Sequence, residues 1–144
     1  MATGLTAGSP QTHQPAHRDF ISRDLSGQDF SGQDLSGANF NYARLVGATM
    51  TGSILRNASF IDADLSRADL TGADATGADF TGANLSGTRL VQANLTAACM
   101  MQAEVYSADL SGAITRGANL GVRHMAPAVE SLVREGLIDP LGYA

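Results

Sequence analysis

The chain has 144 residues, a formal net charge of −5 and only 16% charged residues. All nine bases are arginine, which excludes lysine-dependent chemistry such as a P-loop phosphate cradle, a Schiff base or a lysine general base. The single cysteine excludes an internal disulfide framework and a multi-cysteine zinc site, and the acidic balance predicts no direct binding of nucleic acid.

Residues 1–17 are rich in Thr, Gly, Pro, His and Gln and contain no repeat, so we predict a disordered tail. His13 and His17 stand close together there, but the common zinc sites need three or four ligands, so we predict no metal site. The tail lacks a basic segment followed by an apolar one, and no apolar run approaches the ~20 residues of a membrane span. We therefore expect a cytoplasmic protein without a membrane partner.

Residues 18–122 repeat every five residues without an insertion. Large apolar residues occupy the multiples of five from Phe20 to Leu120, and only Ala75 and Thr115 break the rule among 21 units. A small residue, usually alanine, stands two positions before the large one, a polar residue directly before it, and glycine two positions after it in 11 units. This period fits neither an α-helix nor a single β-strand, but it fits a chain that turns a corner in each unit and stacks successive coils.

Phenylalanines at the large site indicate how many units make one coil. Apart from Phe30, they recur every 20 residues, which is four units. A four-sided coil would place their rings in one column, and the 21 units would make about five coils. At ~4.8 Å per coil the rod would be about 25 Å long. The predicted core column consists of Phe20, Phe40, Phe60 and Phe80.

The segment ADLTGADATGADFTGANLSG resembles the pentapeptide-repeat family, whose pattern is A-(D/N)-L-x-x. The resemblance covers about 105 of the 144 residues. It implies an all-β fold, a right-handed quadrilateral β-helix in which the large and the small sites point inward. The first units depart from the pattern, which predicts a looser first coil with side chains that cap its open end. The departing residues at the small site are Arg18, Arg23, Gln28 and Gln33.

Residues 123–144 follow the repeat as a separate C-terminal segment. Pro127 begins a predicted short helix, and Gly136 ends it. One interpretation is a cap that covers the apolar end of the last coil. The other is a homodimer contact, because the resemblance implies that a C-terminal element joins two rods in gyrase-binding members. The residues predicted for the cap or dimer contact share one helix face and are Val129, Leu132, Val133 and Leu137.

The sequence contains no recognisable catalytic constellation. All three histidines lie outside the repeat, and neither a G-x-S-x-G elbow nor a G-x-G-x-x-G loop is present. The aspartates recur at one position of the unit, which is typical of a coil surface rather than of a focused acid/base pair. We therefore predict a protein that is not an enzyme and that has no cofactor and no metal.

Several apolar residues are predicted to point outward. Stretches of exposed aliphatic and aromatic side chains are typical of protein contacts, although single exposed apolar residues are common on any surface. Three of these residues follow the large site on one side of the rod, and two are tyrosines at other outward sites. The predicted partner surface consists of Ile21, Tyr42, Ile61, Met101 and Tyr106.

Two functions follow from these observations. The leading interpretation is a rigid, non-enzymatic scaffold that presents a surface to another protein, whose identity the sequence does not give. The alternative implied by the resemblance is a mimic of B-form DNA that binds DNA gyrase or topoisomerase IV and gives resistance to topoisomerase poisons. The negative charge favours the mimic, whereas the short rod and the dispersed acids, which never stand directly above each other, disfavour it.

Overall fold

A computed structural model of the chain describes residues 18–121. The predicted disordered tail, Val122 and the predicted C-terminal segment lie outside the described residues, as do its predicted contact residues Val129, Leu132, Val133 and Leu137. Between residues 18 and 121 there is no helix, and β-pairing is confined to one residue in each unit, from Asp19 to Asn119. In the same range, no helix is long and apolar enough to cross a bilayer.

The chain pairs with itself at a constant distance of 20 residues. The residue directly before each large one forms a parallel β-bridge with the residue 20 positions later, from Asp19–Asn39 to Cys99–Asn119. Further backbone bonds join the coils, such as Tyr42 N–H to the Ile61 carbonyl at 2.9 Å. The chain is therefore a solenoid with four columns of bridges. We number these columns as the first to fourth faces by their bridge residues in the first coil, which are Asp19, Asp24, Asp29 and Asp34.

A tight corner separates each face from the next. The carbonyl of the large residue accepts a hydrogen bond from the N–H three positions later, as Phe20 does from Arg23 at 3.1 Å. The residue two positions after the large one has positive φ, which is the signature of the third residue in a type II turn. Glycine occupies 11 of these positions and other residues occupy nine. Glycine is frequent there because it adopts positive φ without a steric cost.

The aromatic residues of the core form a column under the first face. Successive rings of Phe20, Phe40, Phe60 and Phe80 are 4.7, 4.9 and 4.9 Å apart and lie within 9° of parallel. Phe30 enters from the third face and meets Phe20 and Phe40 edge-on, at 6.1 and 6.0 Å. Together these five rings fill the core of the first coils. Stacked and edge-on ring contacts stabilise the fold beyond the hydrophobic effect of their burial.

Polar and small residues at inward sites are accommodated without unpaired groups. The buried hydroxyl of Ser53 donates to the Met50 carbonyl at 2.7 Å, and that of Thr88 donates to the Leu65 carbonyl at 2.8 Å. Ala75, which takes the place of a large residue, is fully buried. Within residues 18–121, no buried side-chain nitrogen or oxygen lacks a hydrogen-bond partner. The inward sites thus tolerate departures from Ala and Leu.

Long polar side chains close the first coil. Arg18 keeps only 14% of its side chain exposed, lies 3.8 Å from the Asp34 carboxylate and donates to the Asp34 carbonyl. The Arg23 guanidinium lies 5.7 Å from the centre of the Phe20 ring, a cation–π distance. The large residues of this coil are at most 5% exposed, and all four faces pair with the second coil. The predicted capping side chains are thus present at Arg18 and Arg23, and the first coil is paired on all four faces.

Candidate interaction surface

Every aspartate on the faces among residues 18–121 supports a corner. The Asp69 carboxylate accepts the backbone N–H of Thr71 at 3.0 Å and its hydroxyl at 2.5 Å. This Asx turn, in which the carboxylate accepts the N–H two positions later, recurs at nine aspartates, all directly before a large residue. Asparagine makes the same turn at Asn39, Asn84, Asn94 and Asn119, and corners such as the one after Arg44 form without it. The nine aspartates are Asp19, Asp24, Asp29, Asp34, Asp64, Asp69, Asp74, Asp79 and Asp109.

These hydrogen bonds lower the pKa of several face carboxyls. At Asp29 and Asp109 the hydroxyl of the following serine lowers the pKa most, and the backbone N–H of the same serine adds to it. At Asp69 and Asp74 burial acts in the opposite direction and raises the pKa, but the threonine hydrogen bonds and a nearby arginine outweigh it. These four carboxylates thus stay ionised to a lower pH than a free aspartate.

Arginines form ion pairs with acids on two of the four faces. Arg56 Nε lies 2.6 Å from Asp74, and Arg89 Nε lies 4.0 Å from Asp69. With the Arg18–Asp34 pair, all three ion pairs among residues 18–121 involve aspartates of the third and fourth faces. Exposed pairs of this kind contribute little to stability, but they reduce the negative potential of those two faces.

Exposed apolar residues lie at the first corner, which is the corner between the first and second faces. We name Ile21, Tyr42, Ile61 and Met101 the first-corner ridge. Ile21, Tyr42 and Met101 are 44%, 59% and 42% exposed, whereas Ile61 is half-buried. The Ile61 N–H donates to Asn41 Oδ1 at 2.9 Å, so a side chain of the preceding coil ties this part of the ridge to the rod. Ile61 is therefore less exposed than the sequence predicts.

The fifth residue of the predicted partner surface lies apart from the ridge. Tyr106 is 69% exposed, but it occupies the second corner, on the far side of the second face. Two exposed isoleucines that sequence reasoning missed, Ile54 and Ile114, lie on the fourth face. Their signal in the sequence is an apolar residue directly before the large one, a position that is otherwise mostly polar. The five predicted residues thus do not form one continuous patch.

Asp62 is an acid of the first corner that sequence reasoning also missed. Its φ is 56°, and it stands two positions after a large residue, where glycine is common. Among residues 18–121 it takes part in no Asx turn and no ion pair. Its carboxylate points along the ridge toward the next coil, because a side chain at Gly82 would collide with Asp62 Oδ1. The sequence signal is an acid at the glycine position rather than at the face position.

Side chains that could bind a metal are dispersed over the rod. Among residues 18–121, no group of three or more His, Cys, Asp or Glu could hold a metal ion. Cys99 is half-buried on the first face, with Sγ 3.3 Å from the Thr81 hydroxyl. The surface itself is therefore the feature that calls for interpretation.

Comparison with known proteins agrees with the coil geometry. The family profile described as Pentapeptide repeats matches residues 19–57 and 58–96, with eight copies. This chain is a pentapeptide-repeat protein. A comparison with curated protein sequences finds no significant match.

Three solved structures illustrate the similarity of this pentapeptide-repeat protein to others. A pentapeptide repeat protein from the Arabidopsis thaliana thylakoid lumen is 37% identical over 85% of this chain and 81% of its own, with a TM-score of 0.60. HetL, a pentapeptide repeat protein involved in heterocyst differentiation regulation in the cyanobacterium Nostoc, is 29% identical over 78% of this chain and 52% of its own, with a TM-score of 0.46. A trypsin-treated form of QnrB1, a plasmid-mediated fluoroquinolone resistance protein, is 27% identical over 72% and 68%, with a TM-score of 0.33.

Proposed function

We propose that this pentapeptide-repeat protein is a rigid scaffold, without enzyme activity, that presents the first-corner ridge to another protein. The ridge itself carries the proposal: exposed apolar side chains stand on a backbone that is hydrogen-bonded from coil to coil. The carbonyls of Ile61 and Met101 each accept an N–H of the preceding coil at 2.9 Å. A preformed apolar surface binds with little ordering cost. The right-handed winding and the count of about five coils also belong to this proposal. The handedness rests on the family, and the count rests on 21 units at four per coil.

Site-specific photo-cross-linking tests the scaffold function. A benzophenone amino acid replaces Tyr42 on the ridge in one protein and Tyr106 on the second corner in a matched control, since both tyrosines are exposed. We expect one dominant protein adduct from position 42 in the native host. The adduct should disappear when Ile21 and Met101 are changed to serine. Equal adducts from both positions, or none from position 42, would contradict a ridge-directed scaffold.

The second candidate function is the DNA mimic that binds a topoisomerase. The net charge of −5 and the aspartates on every face support it. The Asx turns and the arginine pairs weigh against it, because they explain the regular aspartates as corner supports. We expect no change in supercoiling by DNA gyrase at micromolar protein, with or without a fluoroquinolone. Inhibition of gyrase, or its rescue from the drug, would replace the scaffold with the mimic.

For residues 123–144 we propose a helix that either caps the last coil or joins two rods, in a cytoplasmic protein. Light scattering of the full chain and of Leu132→Asp separates these roles. A dimer that becomes a monomer on this change would assign the segment to a homodimer contact. A monomer whose denaturation midpoint falls on the same change would assign it to a cap. An unchanged mass together with an unchanged midpoint would reject both.

A further inference from the structure

Asp62 has no structural role that explains its charge. Each of the other nine aspartates among residues 18–121 supports a corner through an Asx turn, and Asp62 does not. It holds a positive φ of 56°, a backbone conformation that glycine adopts at lower cost in free energy. Glycine occupies 11 equivalent corners, so glycine would serve the fold at this site too. Asp62 is thus an exposed acid whose charge the corner does not use.

The neighbours of Asp62 define the chemistry of this surface. Tyr42 precedes it by one coil in the same column, Ile61 is adjacent in the chain, and Met101 lies on the corner further along. Gly82 leaves open the space above Asp62, and the carboxylate lies in that space. The ridge therefore offers an apolar group, a carboxylate and a second apolar group in order along the rod.

The charges around the ridge are also mostly negative. Asp19, Asp64 and Asp79 flank it on the first and second faces, and no ion pair involves them among the described residues. Two bases lie on this side: Arg23 at the first corner and Arg44 on the second face, whose backbone forms β-bridges with Asp24 and Asp64. The three ion pairs of residues 18–121 all belong to the third and fourth faces. The side of the rod that carries the ridge is thus the side with the less neutralised acids.

We propose that the ridge binds a protein segment that carries a lysine or arginine between two apolar side chains. The cation would lie at the Asp62 carboxylate, and the apolar groups would pack against Tyr42 and Met101. This inference rests on the proposed scaffold function and specifies its partner. From the coil of Tyr42 to that of Met101 the rod rises about 14 Å, a distance that about 10 helical residues span. A single amphipathic segment with basic residues therefore matches the ridge in length and in charge.

Three synthetic 14-residue peptides serve as probes for this proposal. The first carries two leucines on one helical face with lysine between them. In the second, glutamate replaces lysine, and in the third, serine replaces the leucines. Fluorescence anisotropy at low salt should show the first peptide binding at least tenfold more tightly than the other two. Amide shifts in nuclear magnetic resonance spectra should change at Tyr42, Asp62 and Met101.

Asp62→Asn and Asp62→Gly separate a binding role from a structural one. Both variants should bind the lysine peptide at least tenfold more weakly, while Asp62→Gly should unfold at a higher denaturant concentration than the wild type. The matched control is Asp29→Asn on the third face, which removes one exposed carboxylate and should leave binding unchanged. Equal binding by wild type and Asp62→Asn would overturn the proposal. Equal binding of the leucine and serine peptides would overturn it too, because it would indicate a general attraction of cations.

The two proposals can fail separately. A ridge-specific adduct from position 42 together with no preference for the lysine peptide would retain the scaffold and reject the basic partner segment. Loss of both results would reject both proposals.

Discussion

Nine corners place a residue other than glycine at positive φ, which is a strained backbone conformation. Ala97 is the position that best allows this strain to be measured. Ala97 is exposed, has a φ of 59°, and makes its coil-to-coil bond through the backbone, with its N–H 2.9 Å from the Arg116 carbonyl. Left-handed backbone costs an L-residue about 1–2 kcal/mol, whereas glycine adds about 0.4–1 kcal/mol of unfolded-state entropy. We therefore expect Ala97→Gly to raise the free energy of unfolding by about 0.5–1 kcal/mol.

Gly72 allows the opposite substitution, from glycine to alanine at positive φ. Its φ is 70°, and no atom lies within 4 Å of an added Cβ, so Gly72→Ala changes the backbone preference without a collision. We expect it to lower the free energy of unfolding by about the same 0.5–1 kcal/mol. Guanidinium denaturation followed by circular dichroism measures both variants and the double variant, whose midpoint should return to the wild-type value with an unchanged slope. A lower midpoint for Ala97→Gly, or no loss for Gly72→Ala, would refute the assignment of strain to these corners.

Three further outcomes follow from the packing and the charges. The free energy of unfolding should fall as the pH drops below about 4. Folding lowers the pKa of Asp74, so its carboxylate stabilises the fold above the pKa of the unfolded state, and protonation removes that stabilisation. Asp74→Asn keeps the hydrogen-bond acceptor of the Asx turn and should reduce this loss, measured by denaturation at pH 7 and pH 3. Phe60→Ala should cost about 3–5 kcal/mol in thermal unfolding and Phe60→Leu less, since leucine fits the same site elsewhere. Arg18→Ala should lower the free energy of unfolding by about 1–3 kcal/mol, because the Asp34 carbonyl loses a charged hydrogen-bond donor. The control Arg116→Ala, at an exposed arginine, should change the free energy of unfolding by less than about 0.5 kcal/mol.

The period of the sequence predicts the solenoid because every position in a unit returns to the same side after 20 residues. The same arithmetic places Phe20, Phe40, Phe60 and Phe80 in one column, and the ring distances follow from that register. Inward sites are thus readable from the sequence, since burial needs only a position and an apolar side chain.

The surface is harder to predict because it depends on side-chain direction. Asp69 and its equivalents look like scattered surface acids in the sequence, but they turn back to their own backbone. Ile61 and Tyr106 are both outward positions by spacing, yet one is half-buried and the other lies on a different corner from the ridge. Asp62 differs from the other acids only by its place in the unit, a difference that gains meaning once the role of the Asx turns is known.

The fixed register also determines which rearrangements of the gene would preserve the surface. Deletion of the unit at residues 83–87 would keep the backbone pattern, but it would rotate everything downstream by a quarter of a turn. Met101 would then leave the corner of Tyr42 and stand in the column of Arg56 and Thr76. A deletion or duplication of 20 residues would instead change the length of the rod and keep its four sides aligned. Changes in length can thus preserve a binding side only in steps of a whole coil, whereas the fold itself tolerates steps of a single unit.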